Sequence, residues 1–597
     1  MKLYKYSAFV FALLLMNTSC KKDFLDRTPK TKVTEKFFFK SPEDLKTYTN
    51  GFYTMISADY NDLFSDNIGG FTGSSSTNNM LRGNLSQDNI GGWSGEWGAI
   101  RRINYMMDNL KSVTGDESEI KHYEGIARFF RAYVYSGLVK NYHLVPWYDH
   151  VLDAEKEDMY KAQDTREFVV SKIMEDLEFA AANIKSGGGK DRINKWAAMN
   201  LLARFSLFEG TFRKYHDEIK LKESANKFLE RSASVSNEIM SKGGFKVHNT
   251  NSMELDFRAL FNSPNLSSNS EMIFIQKNDR ALGITNNTHT VLDWQWALSG
   301  QLMEEFSMAD GSSYTDQKDY EKLSFTDVFK NRDLRLAETI MPPDFKTNPS
   351  NPSTYLPRPS FGGYLQVKFY PRDPNLRAGW NANFTDLPIM RYAEVLLNYA
   401  EAKAELGQLT QEDLNNSINI LRARVGLPSL DITKVNQKVD SFLAERYPNV
   451  ESNQKNLVLQ IRRERRVELA CEGFRFDDLL RWKTGELMAE SPRGMYIQKL
   501  GAIDVNNDGK VEIAILKDPQ SLEPLKDLSE ADKKAVTKFY LSEGTFYLSQ
   551  GESGFILLGQ DQKLPRKFES PKYYYKPIPR SEIVLNPKLQ QVFGWDK

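Results

Sequence analysis

Between Asn194 and Glu209 the chain reads Asn-Lys-Trp-Ala-Ala-Met-Asn-Leu-Leu-Ala-Arg-Phe-Ser-Leu-Phe-Glu. Apolar residues recur there at the spacing of a helix face, with alanines where a neighbouring helix must come close. Such a segment has to be buried against others like it. The same periodicity returns at 120–142 (Ile126, Phe129, Phe130, Tyr133, Leu138) and at 165–184. It returns again at 387–407, where Met390, Ala393, Leu396, Leu397, Ala400 and Ala404 are closed by Gly407. Helices are also expected at 41–60, behind the N-cap residue Ser41 with Glu43 and Asp44 in the first turn, and at 411–424 and 454–483. The expectation is a mostly α fold of stacked helical hairpins. They are tetratricopeptide-like in character but degenerate, because no strict repeat of fixed period is present.

The core must hold this fold without disulfides. The chain has 597 residues and two cysteines, Cys20 and Cys471. A short basic start (Lys2, Lys5), the apolar run from Ala8 to Met16, and small polar residues before Cys20 resemble a bacterial lipoprotein signal. On that reading residues 1–19 are a signal peptide, Cys20 carries the lipid, and 20–40 form a tether. Cys471 is then left without a partner. Seventy-nine basic and seventy-nine acidic residues cancel, which removes any bulk attraction to nucleic acid. Residues 41–380 alternate helical stretches with loops rich in Gly, Asn and Ser, and 381–597 return to helix with a polar insertion at about 500–570. Long loops inside a compact unit are where function concentrates.

Ordered motifs over nearly the whole chain carry a family resemblance. They are Cys20-Lys-Lys-Asp-Phe-Leu-Asp26, Trp93-Ser-Gly-Glu-Trp97 running to Asn104, Glu124 to Pro146, and Asn331-Arg-Asp-Leu-Arg335. The C-terminal half adds Pro388-Ile-Met-Arg-Tyr-Ala-Glu-Val-Leu-Leu397, Asn419-Ile-Leu-Arg-Ala-Arg-Val-Gly-Leu-Pro428, Glu464-Arg-Arg-Val-Glu468, Gly473-Phe-Arg-Phe-Asp477 to Trp482, and Pro577 to Pro587. Together they resemble the SusD/RagB family of outer-membrane nutrient-binding lipoproteins of Bacteroidetes. The resemblance implies a SusD-like, mostly α fold of four degenerate tetratricopeptide-like helix pairs with an irregular, loop-rich, ligand-facing part. It implies no catalysis and no required cofactor. It implies a lipid-anchored protein on the outer membrane that faces the cell surface. There it would capture an oligosaccharide for a partner TonB-dependent, SusC-like transporter. Capture of peptides, as in some relatives, and a surface glycoside hydrolase are the alternatives.

The residues themselves offer several candidates. Sugars need an aromatic face and polar side chains for their hydroxyls. Trp294 and Trp296 are separated by one residue and would face one way in a strand. Trp93 and Trp97 lie one helical turn apart, a spacing that serves packing as well as contact. Asp66, Arg82 and Asn89, in the long loop just before, are hydroxyl partners by type. Tyr364 and Trp380 are further aromatics. Asp504, Asn506, Asp508 and Gly509 match the first half of a calcium loop, but Ile515 stands at the twelfth position, so Glu512 would have to complete a structural calcium site.

Enzyme signatures are missing. The six histidines are scattered, and no zinc-protease helix, nucleophile elbow or phosphate loop is present. Glu464 and Glu468 sit one turn apart as an acid–base pair would, but the arginines at 462, 463, 465 and 466 would hold both ionised.

Overall fold

The computed structural model describes residues 38–596 apart from 72–75, 153–156, 293, 349, 351–352 and 378. The expected leader and Cys20 lie outside the described residues. Helix accounts for 48% of the structure and strand for 9%, so the chain is mostly α as its periodicity demands.

The first half is built on α1 (Pro42–Thr49), α2 (Trp93–Asn109), α3 (Glu117–Tyr142), α4 (Arg166–Asn183), α5 (Lys195–Tyr215) and α6 (Ala225–Lys242). Their starts are set by side chains that satisfy free backbone N–H groups. Asp116 accepts from Ser118 N at 2.7 Å, and Asn194 accepts from both Trp196 N and Ala197 N at 3.0 Å. Helix α3 packs on α4, and α5 on α6. Two glycines fix how close these pairs come. A Cβ at Gly125 would meet Ile184 at 2.8 Å, and one at Gly210 would meet Leu229 at 2.9 Å.

The second half adds α7 (Tyr392–Glu405), α8 (Ile418–Arg424), α9 (Lys455–Glu468) and α10 (Arg475–Arg481), with α7 packed on both α6 and α9. Three expectations change here. The stretch 387–407 is not one helix, because its first residues pair as a strand. The stretch 411–424 breaks at Ser417. The stretch 454–483 breaks between α9 and α10, where Cys471 (φ 65°) and Gly473 (φ 79°) turn left-handed. Asp62 holds that break by accepting Cys471 N at 2.6 Å and Gly473 N at 3.1 Å.

Four short strands cross the loop-rich middle: β1 (Ile68–Phe71), β2 (Met272–Gln276), β3 (Trp296–Leu298) and β4 (Leu387–Arg391). β1 pairs with β3 and β2 with β4, both antiparallel. The insertion carries two three-stranded sheets, one of which sets β5 (Ile513–Leu516) between an antiparallel and a parallel neighbour. Two large apolar cores result. One lies between the helices, and the other sits beneath the middle strands and the insertion. Among the described residues no helix is long and apolar enough to cross a membrane.

Candidate ligand-binding site

Two tryptophans stand out from the irregular face. Trp294 is 53% exposed and Trp380 is 61% exposed, and no other tryptophan among the described residues is exposed. Their ring centroids lie 5.4 Å apart with planes at 40°, so the two rings form one exposed aromatic wall. They come from separate loops, one leading into β3 and the other towards β4. An asparagine ladder clamps the loops together. Asn286 N donates to Asn383 O at 2.8 Å, and Asn381 N donates to Asn287 Oδ1 at 2.6 Å. Asn287 Nδ2 returns a bond to Asn381 Oδ1 at 2.6 Å, and Thr285 Oγ1 donates to Asn381 O at 2.6 Å. Asn381 takes φ 50°, a left-handed turn that asparagine tolerates. The wall is therefore held before any ligand arrives.

The expected Trp294–Trp296 pair does not share a face. Trp296 opens β3, is buried at 5% exposure, and donates its indole N–H to Gln366 Oε1 at 2.9 Å. Only three residues form that strand, and Trp294 lies before it, so the alternation rule never applies to both. Tyr364 is buried in the same core.

Trp93 is buried too. It meets Tyr142 edge-on at 4.8 Å and Trp97 at 5.2 Å. Trp97 is half-buried against Tyr148, and both tryptophans border a small cavity of about 350 Å³.

Asp66 and Arg82 are committed to the fold rather than to solvent. Asp66 is buried among Arg446, Arg466 and Arg475, with N–O distances of 3.3, 3.0 and 2.7 Å, and these guanidinium groups hold its carboxyl below the usual range against burial. Arg82 is buried against Asp561 and Leu564 O. A buried charge has to be paired, and both are. Asn89 stays on the surface but closes its own turn, accepting Ser86 N at 2.8 Å and donating to Asn84 O at 2.6 Å.

Asp504, Asp508 and Glu512 do converge, with carboxylate oxygens within 4.8 Å of one another. Asp504 already accepts four loop N–H groups, while burial and the two neighbouring carboxylates push Glu512 up. Asn506 is tied to Thr354 and Asp508 instead.

No acid–base pair emerges from Glu464 and Glu468. Both are fully buried and held low, although the arginines beside them in sequence do not do this. Glu464 pairs with Arg335 (3.0 Å) and Arg422; Glu468 pairs with Arg335 (3.0 Å), Arg391 (2.7 Å) and Arg424 (2.6 Å). Arg462, Arg463, Arg465 and Arg466 turn away to Glu405, Asp440, Asp478 and Glu305.

The model of a family described as the SusD family matches residues 294–595, and one described as starch-binding, associating with the outer membrane, matches 23–207. The chain is 24% identical over 534 residues to SusD-like protein P2 of Formosa agariphila, covering 85% of this chain and 95% of that one. A crystal structure of a SusD-like carbohydrate-binding protein from Bacteroides fragilis superposes with a TM-score of 0.65 at 20% identity, covering 93% of this chain and all of that one. A laminarin-binding SusD-like protein superposes at 0.56 and 18%, again covering 93% of this chain and all of that one.

Proposed function

The chain belongs to the SusD family, and from that membership we propose that it is a cell-surface glycan-binding protein that captures oligosaccharide without turning it over. The exposed Trp294–Trp380 wall carries the reading. Pyranose rings have an apolar face that stacks on aromatic rings, and a pre-held pair loses little order on binding. The exposed Asn381 side-chain NH2, which makes no hydrogen bond among the described residues, is left to meet a hydroxyl. The absence of turnover is supported by the arginine clamps on Glu464 and Glu468, which deny them the neutral form a general acid needs.

We place the protein on the outer membrane, anchored through Cys20, where it hands its ligand to a TonB-dependent transporter. The family description of outer-membrane association supports this placement, as do the lipoprotein-like residues before Cys20. The relatives described as carbohydrate-binding and laminarin-binding support the ligand class.

The test is a glycan screen, by affinity gel or calorimetry, on protein beginning after Cys20, with Trp294→Ala and Trp380→Ala alongside. Binding without product, weakened in both variants, supports capture at the wall. Release of shortened glycan would overturn the non-catalytic reading. Binding of peptides but of no glycan would move the protein to the peptide-capturing branch.

A further inference from the structure

A concave space lined by neither Trp294 nor Trp380 lies elsewhere on the protein. It is a cleft of about 640 Å³ between α2, α3, the loop before β1 and the segment at 573–576. That volume falls in the range of small-molecule sites. One side is sealed. Lys576 N donates to Asn141 O at 2.7 Å, and Lys140 Nζ pairs with Asp477 at 2.6 Å.

What remains on the walls is unusual for a closed fold. Four polar side chains reach the cleft with no hydrogen bond or ion pair among the described residues: Glu96 and Arg102 on α2, Tyr133 on α3, and Lys576. The Asn141 side-chain amide is a fifth. Glu96 and Lys576 feel each other's charge but do not pair. Burial pulls the Lys576 ammonium down and pushes the Glu96 carboxyl up, as expected of charges kept from water without partners. Glu96, Tyr133, Asn141 and Lys576 are half-buried, and such groups are costly unless something meets them; Arg102 is exposed. Phe64, an exposed aromatic ring, stands at the same cleft.

We infer that this cleft is a second saccharide subsite, selective for a sugar that carries a carboxylate. The inference rests on the reading of the protein as a glycan binder but not on the tryptophan wall. The unpaired cations, Lys576 and Arg102, outnumber the unpaired anion, so the space favours an anionic group. The Asn141 amide, the Tyr133 hydroxyl and Glu96 suit neutral hydroxyls, and Phe64 offers a ring face. A zwitterionic amino acid would use one cation and Glu96 but leave the amide, the hydroxyl and most of the volume unmet.

The experiment is calorimetry with four probes: a uronic-acid trisaccharide, its methyl ester, a neutral oligosaccharide and a dipeptide. Each is titrated into wild type, Lys576→Gln, Asn141→Ala and Trp294→Ala, with melting temperatures recorded. The uronate is expected to bind wild type and Trp294→Ala alike, and to weaken about ten- to hundredfold in Lys576→Gln, the range for a hydrogen bond to a charge. Asn141→Ala is expected to weaken it less. The methyl ester should lose a similar factor in wild type, and the neutral sugar should be indifferent to Lys576→Gln. Uronate binding unchanged in Lys576→Gln, or no uronate binding where the neutral sugar binds, overturns the cleft assignment and leaves the wall intact. Uronate binding that depends on Lys576, without any neutral binding, would instead remove the wall. A dipeptide that binds with the same Lys576 dependence while the uronate does not would replace the ligand class.

Discussion

The indole N–H of Trp296 donates to Gln366 Oε1 at 2.9 Å, and this bond divides the labour between two tryptophans that are near neighbours in sequence. Trp296 holds the core beneath β3; Trp294 faces solvent beside Trp380.

The two should therefore respond in opposite ways to substitution. Trp294→Ala and Trp380→Ala are expected to weaken glycan binding about three- to tenfold each, the worth of one aromatic contact, with little change in melting temperature. Trp296→Phe is expected to cost about 1–3 kcal/mol of stability, because it leaves the Gln366 carbonyl without its donor. Calorimetry and urea unfolding on the same three variants separate the roles. Equal loss of stability in all three would contradict the division.

At the break between α9 and α10, Gly473 sits at φ 79°, and a Cβ there would lie 2.3 Å from Asp59 Oδ2. Gly473→Ala meets both a disfavoured backbone and a carboxylate, so a loss of at least about 1–3 kcal/mol is expected. Asp59→Gly in the same background should recover only the steric part. A neutral Gly473→Ala in chemical denaturation would refute this account of the turn.

Glu468 accepts from three arginines in a space that holds no water-facing surface. Glu468→Gln leaves buried cations short of a partner and should cost about 3–5 kcal/mol. Glu464, Glu468 and Asp66 all have carboxyls held below the ordinary range. Their contribution is present above the unfolded carboxylate value of about 4 and is lost as pH falls through the folded values. Acid unfolding should steepen below about pH 4, and a flat urea midpoint down to pH 3 would count against the clamp.

Glu304 behaves oppositely. Burial pushes it up to about 7 despite Arg493 at 2.6 Å. A raised carboxyl lends stability below its unfolded value of about 4 and loses it as pH climbs towards 7. The wild type is thus expected to lose roughly 1–3 kcal/mol between pH 5 and pH 7, and Glu304→Gln should remove that slope. The urea midpoint measured at half-unit pH steps decides it.

The helical frame was legible from the chain because periodicity reports burial directly. The stretches at 120–142, 165–184 and 194–209 fall on α3, α4 and α5. What misled were segments where long-range pairing overrides local preference. Leu387–Arg391 reads as the start of a helix until β2 is there to pair with it. The turn at Gly473 depends on Asp62, some four hundred residues earlier in the chain. The site was less legible for the same reason. Trp294 could be read from its neighbourhood, but its partner Trp380 lies on another loop, and no short motif joins them. Asp66 and Arg82 carry the right chemistry for hydroxyls. Only their burial beside Arg475 and Asp561 reveals that it is already spent.

The asparagine ladder fastens the two aromatic loops to each other. Substitution in either loop should therefore move both rings together, so the spacing of the aromatic pair is set as one unit rather than ring by ring.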